Sequence, residues 1–364
     1  MSITSVLFLF LYVGPPFTHP TIPHRAHYVG HSTPRSSPSH YLACIQALVQ
    51  TYRMDLQYAY QETFSSADVF NKASSPNESD DRSEAFIPLV VNTQGWIKGL
   101  GGDLLRKIEE IVDATDIFDL DSQSAIYSPQ PSRRTHSSTR LHTIRPILSS
   151  PLTLYYTPAD FRSLSILSYF HSLFPAWERD ARSWSTELPL CARAPWEVNC
   201  KEANYRFVLT GAGFEDVVLE DLDYALNCSL VALVCEEDSA SLVPESENSD
   251  SGPWPYIQGA PVPSPSTSHC LGLALIRGVN AATHTLHLLT PVPLNVIPKC
   301  RIFVKGELEL PVWGMLDFRE GQTESVAGIK WEKVPYLQMG GREPGAIGGA
   351  RRRVRKNLMR RGQV

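Results

Sequence analysis

The stretch Pro88 to Val112, PLVVNTQGWIKGLGGDLLRKIEEIV, passes from a short apolar run through a glycine-rich turn into an amphipathic helix. It restricts the fold more than any other segment, because a fully apolar run such as IPLVV (87–91) is the kind buried on both faces of a parallel sheet. Beyond the turn, Leu104, Leu105, Ile108, Ile111 and Val112 make a helical stripe, and TDIFDL (115–120) reads as a strand. Strand, helix and strand in that order make a βαβ unit and predict an α/β sheet. The turn itself resembles a phosphate cradle but fails its tests. Lys98 precedes Gly99, and Asp103 stands where a magnesium-binding hydroxyl would be needed. Gly99 and Gly101 lack a third glycine at the dinucleotide-binding offset, and no other window fits either pattern. Gly99, Gly101 and Gly102 are therefore expected to serve a tight turn and close helix packing.

Upstream, VLFLFLYV (6–13) is too short to span a bilayer, and neither a basic flank nor a small-residue cleavage site marks it as a signal peptide. It is expected to be a buried strand, followed by a Pro- and His-rich loop to about residue 38. Tyr41, Leu42, Ile45, Leu48, Val49 and Tyr52 then share one helical face. Residues 61–84 read as a disordered acidic insertion and 121–150 as a flexible connection. At Thr157, a capping residue with Pro158 behind it and Asp160 in the first turn signals a helix start. The last third changes character. NCSLVALVC, CLGLALIRGV, THTLHLLTP and KCRIFVKGELEL are short strand-like runs, predicting a small antiparallel sheet or barrel. The intervening Glu236–Ser268 segment is expected to be disordered.

Seven dispersed cysteines without a CxxC pair indicate reduced thiols in cytosol or nucleus. Cys228 and Cys235 flank one strand-like run and read as core thiols. His19, His24, His27 and His31 fit no standard zinc spacing, so no metal site is expected. The net charge of −5 is unevenly spread: residues 342–364 hold eight basic residues and one acid, a surplus of seven, which leaves −12 on the remainder. Such a tail suits nucleic acid, an acidic partner or an import receptor.

In this order, GPPFTHP, PLVVNTQGWIKGLGGDLL, YTPADFRSLSILSYFH, VLTGAGFEDV, LLTPVPLNVIPKCRIFVKGELELP and RRRVRKNLMRR resemble the polynucleotide 5′-hydroxyl-kinases. GPPFTHP and the SYFH segment favour the nucleolar branch that works on pre-ribosomal RNA. The resemblance implies a partial RecA-like P-loop-kinase sheet within an α/β fold, followed by a small β-rich C-terminal domain. Its divisions fall at 1–190 (kinase remnant with lid helix), 191–340 (β-rich domain) and 341–364 (basic tail). It implies transfer of the ATP γ-phosphate, with Mg2+, onto an RNA 5′-hydroxyl left by spacer cleavage. It also implies a HEPN-type endoribonuclease and pre-ribosomal RNA as partners, a nuclear and nucleolar location, and no membrane. The chain departs from the family by starting after its P-loop and acidic strand, so as written it is expected to lack the ATP and Mg2+ site and to be inactive alone. The alternative is a catalytically silent scaffold that binds the endoribonuclease and pre-ribosomal RNA. A plain RNA-binding β-barrel with a basic tail is a third reading, independent of the resemblance.

On this reading Asn92, Thr93, Trp96 and Lys98 hold substrate, with Trp96 stacking on a base near the RNA 5′ end. The opposing reading makes Trp96 a packing residue and Lys98 a solvated lysine. Arg162 lies on the helix matching the family's lid and is the catalytic candidate, against a plain surface arginine. Arg351, Arg352, Arg353, Arg355, Lys356, Leu358 and Met359 form the partner-binding candidate, against an import address.

Overall fold

The computed structural model describes residues 6–9, 23–58, 87–120, 139–145, 155–172, 185–200, 205–237, 254–317, 325–326 and 329–330. The GPPFTHP segment, the 61–84 insertion and the basic tail lie outside the described residues.

Strand β1 (Val6–Leu9) pairs antiparallel with β2 (Arg25–Tyr28), Val6 opposite Tyr28. Strand β2 corrects the expected loop: a His-rich run extends because Ala26 and Tyr28 bury themselves in the main core. Helix α1 (Pro38–Thr51) buries Tyr41, Cys44, Ile45 and Val49 and runs into a π-helical turn at Tyr52–Tyr58. Helix α2 (Leu100–Val112) lays Ile108 against α1, and Val29 from the end of β2 completes this small core.

The parallel pairing expected around the glycine turn exists, but with a different partner. Strand β3 (Asp116–Leu120) pairs in parallel with β4 (Arg140–Ile144), which lies in the stretch expected to be a flexible connection. Residues 87–91, expected as a buried strand, have no ladder partner among the described residues, and Val90 is 90% exposed. An apolar run becomes a central strand only when strands flank it. Here side chains hold it instead: the Tyr52 hydroxyl donates to the Ile87 carbonyl, and the Ile87 N–H donates to Gln57 Oε1 at 3.0 Å.

Helix α3 (Pro158–Phe170) opens on the expected capping box between Thr157 and Asp160. After it come β5 (Trp196–Asn199), β6 (Arg206–Leu209), the short α4 (Leu222–Leu226), β7 (Leu230–Glu236), β8 (Ser268–Asn280), β9 (Thr285–Leu289) and β10 (Ile302–Lys305). They form one open six-stranded sheet in the order β5-β9-β8-β7-β10-β6, antiparallel except where β10 runs parallel to β6. Both faces are covered. Ala26, Tyr28, Ile166, Leu167 and Phe170 pack on one; Tyr205, Leu222, Leu226 and Trp254 pack on the other. Double coverage explains why LVALV in β7 is continuously apolar instead of alternating. The hydrophobic core thus runs across residue 190, joining β2 and α3 to the C-terminal sheet. The expectation of disorder over 236–268 fails at its far end, where Trp254 is 2% exposed and Tyr256 bridges to Phe207. Their apolar rings seal the second face. Cys228, expected in the core, is exposed at the turn before β7, and Cys235 is half-buried.

Candidate functional site

Glycines at 99, 101 and 102 place the indole of Trp96. Gly99 adopts φ 56° at the start of α2, a conformation that favours glycine. A Cβ on Gly101 would collide with the Trp96 ring and carbonyl, and one on Gly102 would lie 2.8 Å from the Ile97 carbonyl oxygen. The missing side chains therefore let Trp96 fold back onto the first turn of α2, half-buried. Tyr41 of α1 donates to Gln94 Oε1 at 2.8 Å and ties the loop down from the other side. Asn92, Thr93 and Lys98, close to Trp96 in the chain, are exposed. They follow a segment that pairs with no strand among the described residues, not the end of a buried strand as the sequence led us to expect.

The space a phosphate would need in a glycine cradle is occupied by the indole. Among the described residues no group of three or more His, Cys, Asp or Glu is placed to hold a metal ion. The glycine turn at 99–102 is packed against Trp96 instead of standing open as a phosphate cradle.

Helix α3 is anchored at one end and projects at the other. Its C-terminal half buries Ile166, Leu167 and Phe170. Tyr169 accepts the Leu273 N–H at 2.7 Å, beside the irregularity where β8 slips register against β7. Gly272 makes room for that phenol. Arg193 donates to the Phe170 carbonyl at 2.9 Å, a cation at the helix C-terminus where the dipole favours one. The N-terminal half carries Phe161, Arg162 and Leu164 exposed. Tyr156 before the cap and Phe161 in the first turn lie 6.2 Å apart, a hydrophobic staple. No hydrogen bond, ion pair or ring contact joins Arg162 to residues 92–98 among the described residues. Sequence reasoning passed over Tyr155 and Tyr156, although the YYTPADF run carries the signal.

It also missed the junction that ties the N-terminal elements to the sheet. Glu307, just past β10, accepts the Ser32 N–H at 2.8 Å, the Ser32 hydroxyl at 2.6 Å and the Ala212 N–H at 3.2 Å, with His31 Nδ1 at 3.3 Å. Burial alone would raise its carboxyl; the hydrogen bonds from Ser32, Ala212 and His31 outweigh that and hold it at about 2. On the neighbouring sheet position, the buried Lys305 sets its ammonium 3.8 Å from the Phe214 ring centroid, and burial pushes its pKa down. Farther along the same junction, His27 is 3% exposed with Nε2 unpartnered. Burial, then the charge of Arg25, then His269 and His40, depress its pKa to about 3. On β3, hydrogen bonds from Arg140 and then His142 hold the Asp116 carboxyl far below the usual range. That network pins the register of β3 and β4 at their first residues.

Comparison with known proteins agrees with the family resemblance. Residues 63–172 match the family described as mRNA cleavage and polyadenylation factor CLP1 P-loop. The polynucleotide 5′-hydroxyl-kinase GRC3 of Cryptococcus neoformans var. neoformans serotype D is 37% identical over 96% of this chain and 48% of its own. The grc3 kinase of Schizosaccharomyces pombe is 30% identical over 96% of this chain and 46% of its own. The chain thus spans about half the length of the curated relatives it matches. Among solved structures, Clp1p in its complex with Pcf11p aligns with 83% of this chain and 59% of its own at 15% identity and a TM-score of 0.40. No described helix is long and apolar enough to cross a membrane.

Proposed function

We propose, from the premise that this chain is homologous along 96% of its length to the GRC3 polynucleotide 5′-hydroxyl-kinases, that it forms the RNA-holding part of a kinase of ribosomal RNA processing. The observation that carries this reading is the Trp96 wedge. Its glycines close the turn around an indole, while Asn92, Thr93 and Lys98 present amide, hydroxyl and ammonium groups to solvent. An aromatic ring with exposed amide, hydroxyl and ammonium side chains a few residues away suits an unpaired base and its phosphates. In this scheme Trp96 stacks on a base near the 5′ end, Asn92 and Thr93 orient the terminal ribose, and Lys98 meets a phosphate. Arg162, carried on the projecting half of α3, brings a guanidinium to phosphate oxygens. ATP and Mg2+, which the reaction requires, are not assigned to the 92–98 loop in this scheme.

The same reading gives the whole protein a HEPN-type endoribonuclease and pre-ribosomal RNA as partners and the nucleolus as its place. The basic run from Arg351 to Arg361, with Leu358 and Met359 as apolar anchors, is its proposed docking element. Support comes from its charge density, seven cations in eleven residues.

The test takes this chain with labelled ATP and a 5′-hydroxyl RNA. No phosphate transfer is expected, while RNA binding without nucleotide should weaken about tenfold in Trp96→Ala, the scale of one lost base stack. Robust transfer by the chain alone would place a nucleotide site here after all, and unchanged RNA binding by Trp96→Ala would sink the RNA-holding assignment. In a protein that carries this chain together with a working ATP site, Arg162→Ala should lower kcat more than about tenfold and leave ATP binding intact.

A further inference from the structure

The start of α3 carries an aromatic cluster that neither the fold nor the loop at Trp96 explains. Tyr155 and Tyr156 meet edge-on with centroids 5.0 Å apart, and Tyr156 continues to Phe161. The Tyr156–Phe161 contact has a local purpose as the helix staple. Tyr155 has none: it lies outside the staple and is 66% exposed. All three rings keep large areas in water, with Tyr156 at 47% and Phe161 at 37%. Arg162 is exposed immediately after Phe161. Asp160, two positions before Arg162, is engaged by the Thr157 N–H and hydroxyl, each at 2.7 Å. Those hydrogen bonds keep Asp160 ionised but occupy it at the cap, while among the described residues Arg162 has no ion-pair partner.

We infer that Tyr155, backed by Tyr156 and Phe161, is a second base-stacking platform that takes an unpaired base of the acceptor RNA beside Arg162. This rests on the RNA-holding reading above and extends it from the 92–98 loop to α3. Every base offers a π-face, so rings backed by one cation select single strands without selecting sequence. The staple holds Tyr156 and Phe161 in place before RNA arrives, which lowers the ordering cost of binding. The anchored C-terminal half of α3 supplies the rigid mount.

The experiment measures anisotropy of a labelled single-stranded 5′-hydroxyl RNA with the full chain and no nucleotide. Tyr155→Ala spares the staple and should weaken binding at least about fivefold, the low end for one base stack. Its melting should be unchanged, because the ring is solvated. Tyr155→Phe keeps the π-face and should bind like the parent. A duplex of the same sequence, whose bases are already stacked, should not respond to either substitution. Since stacking releases no counterions, the salt slope should stay constant in Tyr155→Ala and fall in Arg162→Ala. Unchanged single-strand affinity in Tyr155→Ala overturns the inference, and so does equal weakening in Tyr155→Phe. A changed sedimentation coefficient with unchanged RNA affinity would instead make the cluster a contact between copies of the chain. If Trp96→Ala abolishes binding while Tyr155→Ala does nothing, the second platform falls and the first stands. The reverse pattern removes the first, and no RNA binding by the parent chain removes both.

Discussion

His27 makes the junction between β2 and the C-terminal sheet acid-sensitive. Its imidazole is buried and neutral, with its pKa at about 3 against 6.5 in the unfolded chain. Below pH 6.5 the unfolded state takes up a proton that the folded state refuses. Stability is therefore full above pH 6.5 and is lost as pH falls toward 3, by about 1.36 kcal/mol per unit. The loss from this one group is about 1.4 kcal/mol at pH 5.5 and about 2.7 kcal/mol at pH 4.5. Arg25, His269 and His40 face it, each unfavourable to a charged imidazole. Glu237 lies beside Arg25 and His269 but not among the influences on His27. His40 and His269 are themselves lowered by burial and steepen the same slope. The perturbation is His27→Leu, which removes the titrating group where Nε2 has no partner to lose. Pulse proteolysis in urea at pH 7.5, 6.5, 5.5 and 4.5 reports unfolding at concentrations low enough to avoid aggregation. The variant should match the parent within about 1 kcal/mol at pH 7.5 and exceed it by about 2–3 kcal/mol at pH 4.5. Parallel pH profiles for the two proteins would refute the argument. Glu307 cannot mimic the effect, because its pKa of about 2 confines its own loss to pH below about 4.5.

Glu307→Ala should destabilise the chain by about 1–2 kcal/mol at neutral pH, since it removes the hydrogen bonds from Ser32, Ala212 and His31, and Glu307→Gln should cost less; equal urea midpoints would show that water replaces the carboxylate. The β3–β4 pair leaves Phe118, Leu120, Leu141 and Ile144 exposed, so the chain expressed alone should self-associate, and Leu120→Lys with Leu141→Lys should raise its soluble yield; a monodisperse parent in ultracentrifugation would contradict this. Leu358→Ala with Met359→Ala should weaken co-purification of the endoribonuclease and leave nuclear import intact; if only arginine removal matters, and only through location, the tail is an address.

Much of the local structure was written in short-range chemistry. Thr157, Pro158 and Asp160 specify a helix start through contacts within four residues, and the capping box forms as those residues require. The stripe from Tyr41 to Tyr52 names its own buried face, and the strand runs of the last third need only short apolar lengths bounded by turn residues to be seen. The glycines after Trp96 likewise foretold close packing, because no neighbour is needed to know that a cradle lacks its lysine. Tertiary contacts decided the rest. The run at 87–91 has every property of a central strand except flanking strands among the described residues, and there it stands outside any ladder with Pro88, Val90 and Val91 exposed. β2 looked like a loop until Ala26 and Tyr28 found the sheet, and the parallel partner of β3 came from a stretch whose composition read as a connection. Glu307, His27 and Tyr155 gain their character from groups up to 276 positions away or from exposure that a window of sequence does not reveal, as the Glu307–His31 contact illustrates. Burial and electrostatic pairing belong to the folded surface, and a sequence read in windows of a dozen residues holds propensities but not neighbours.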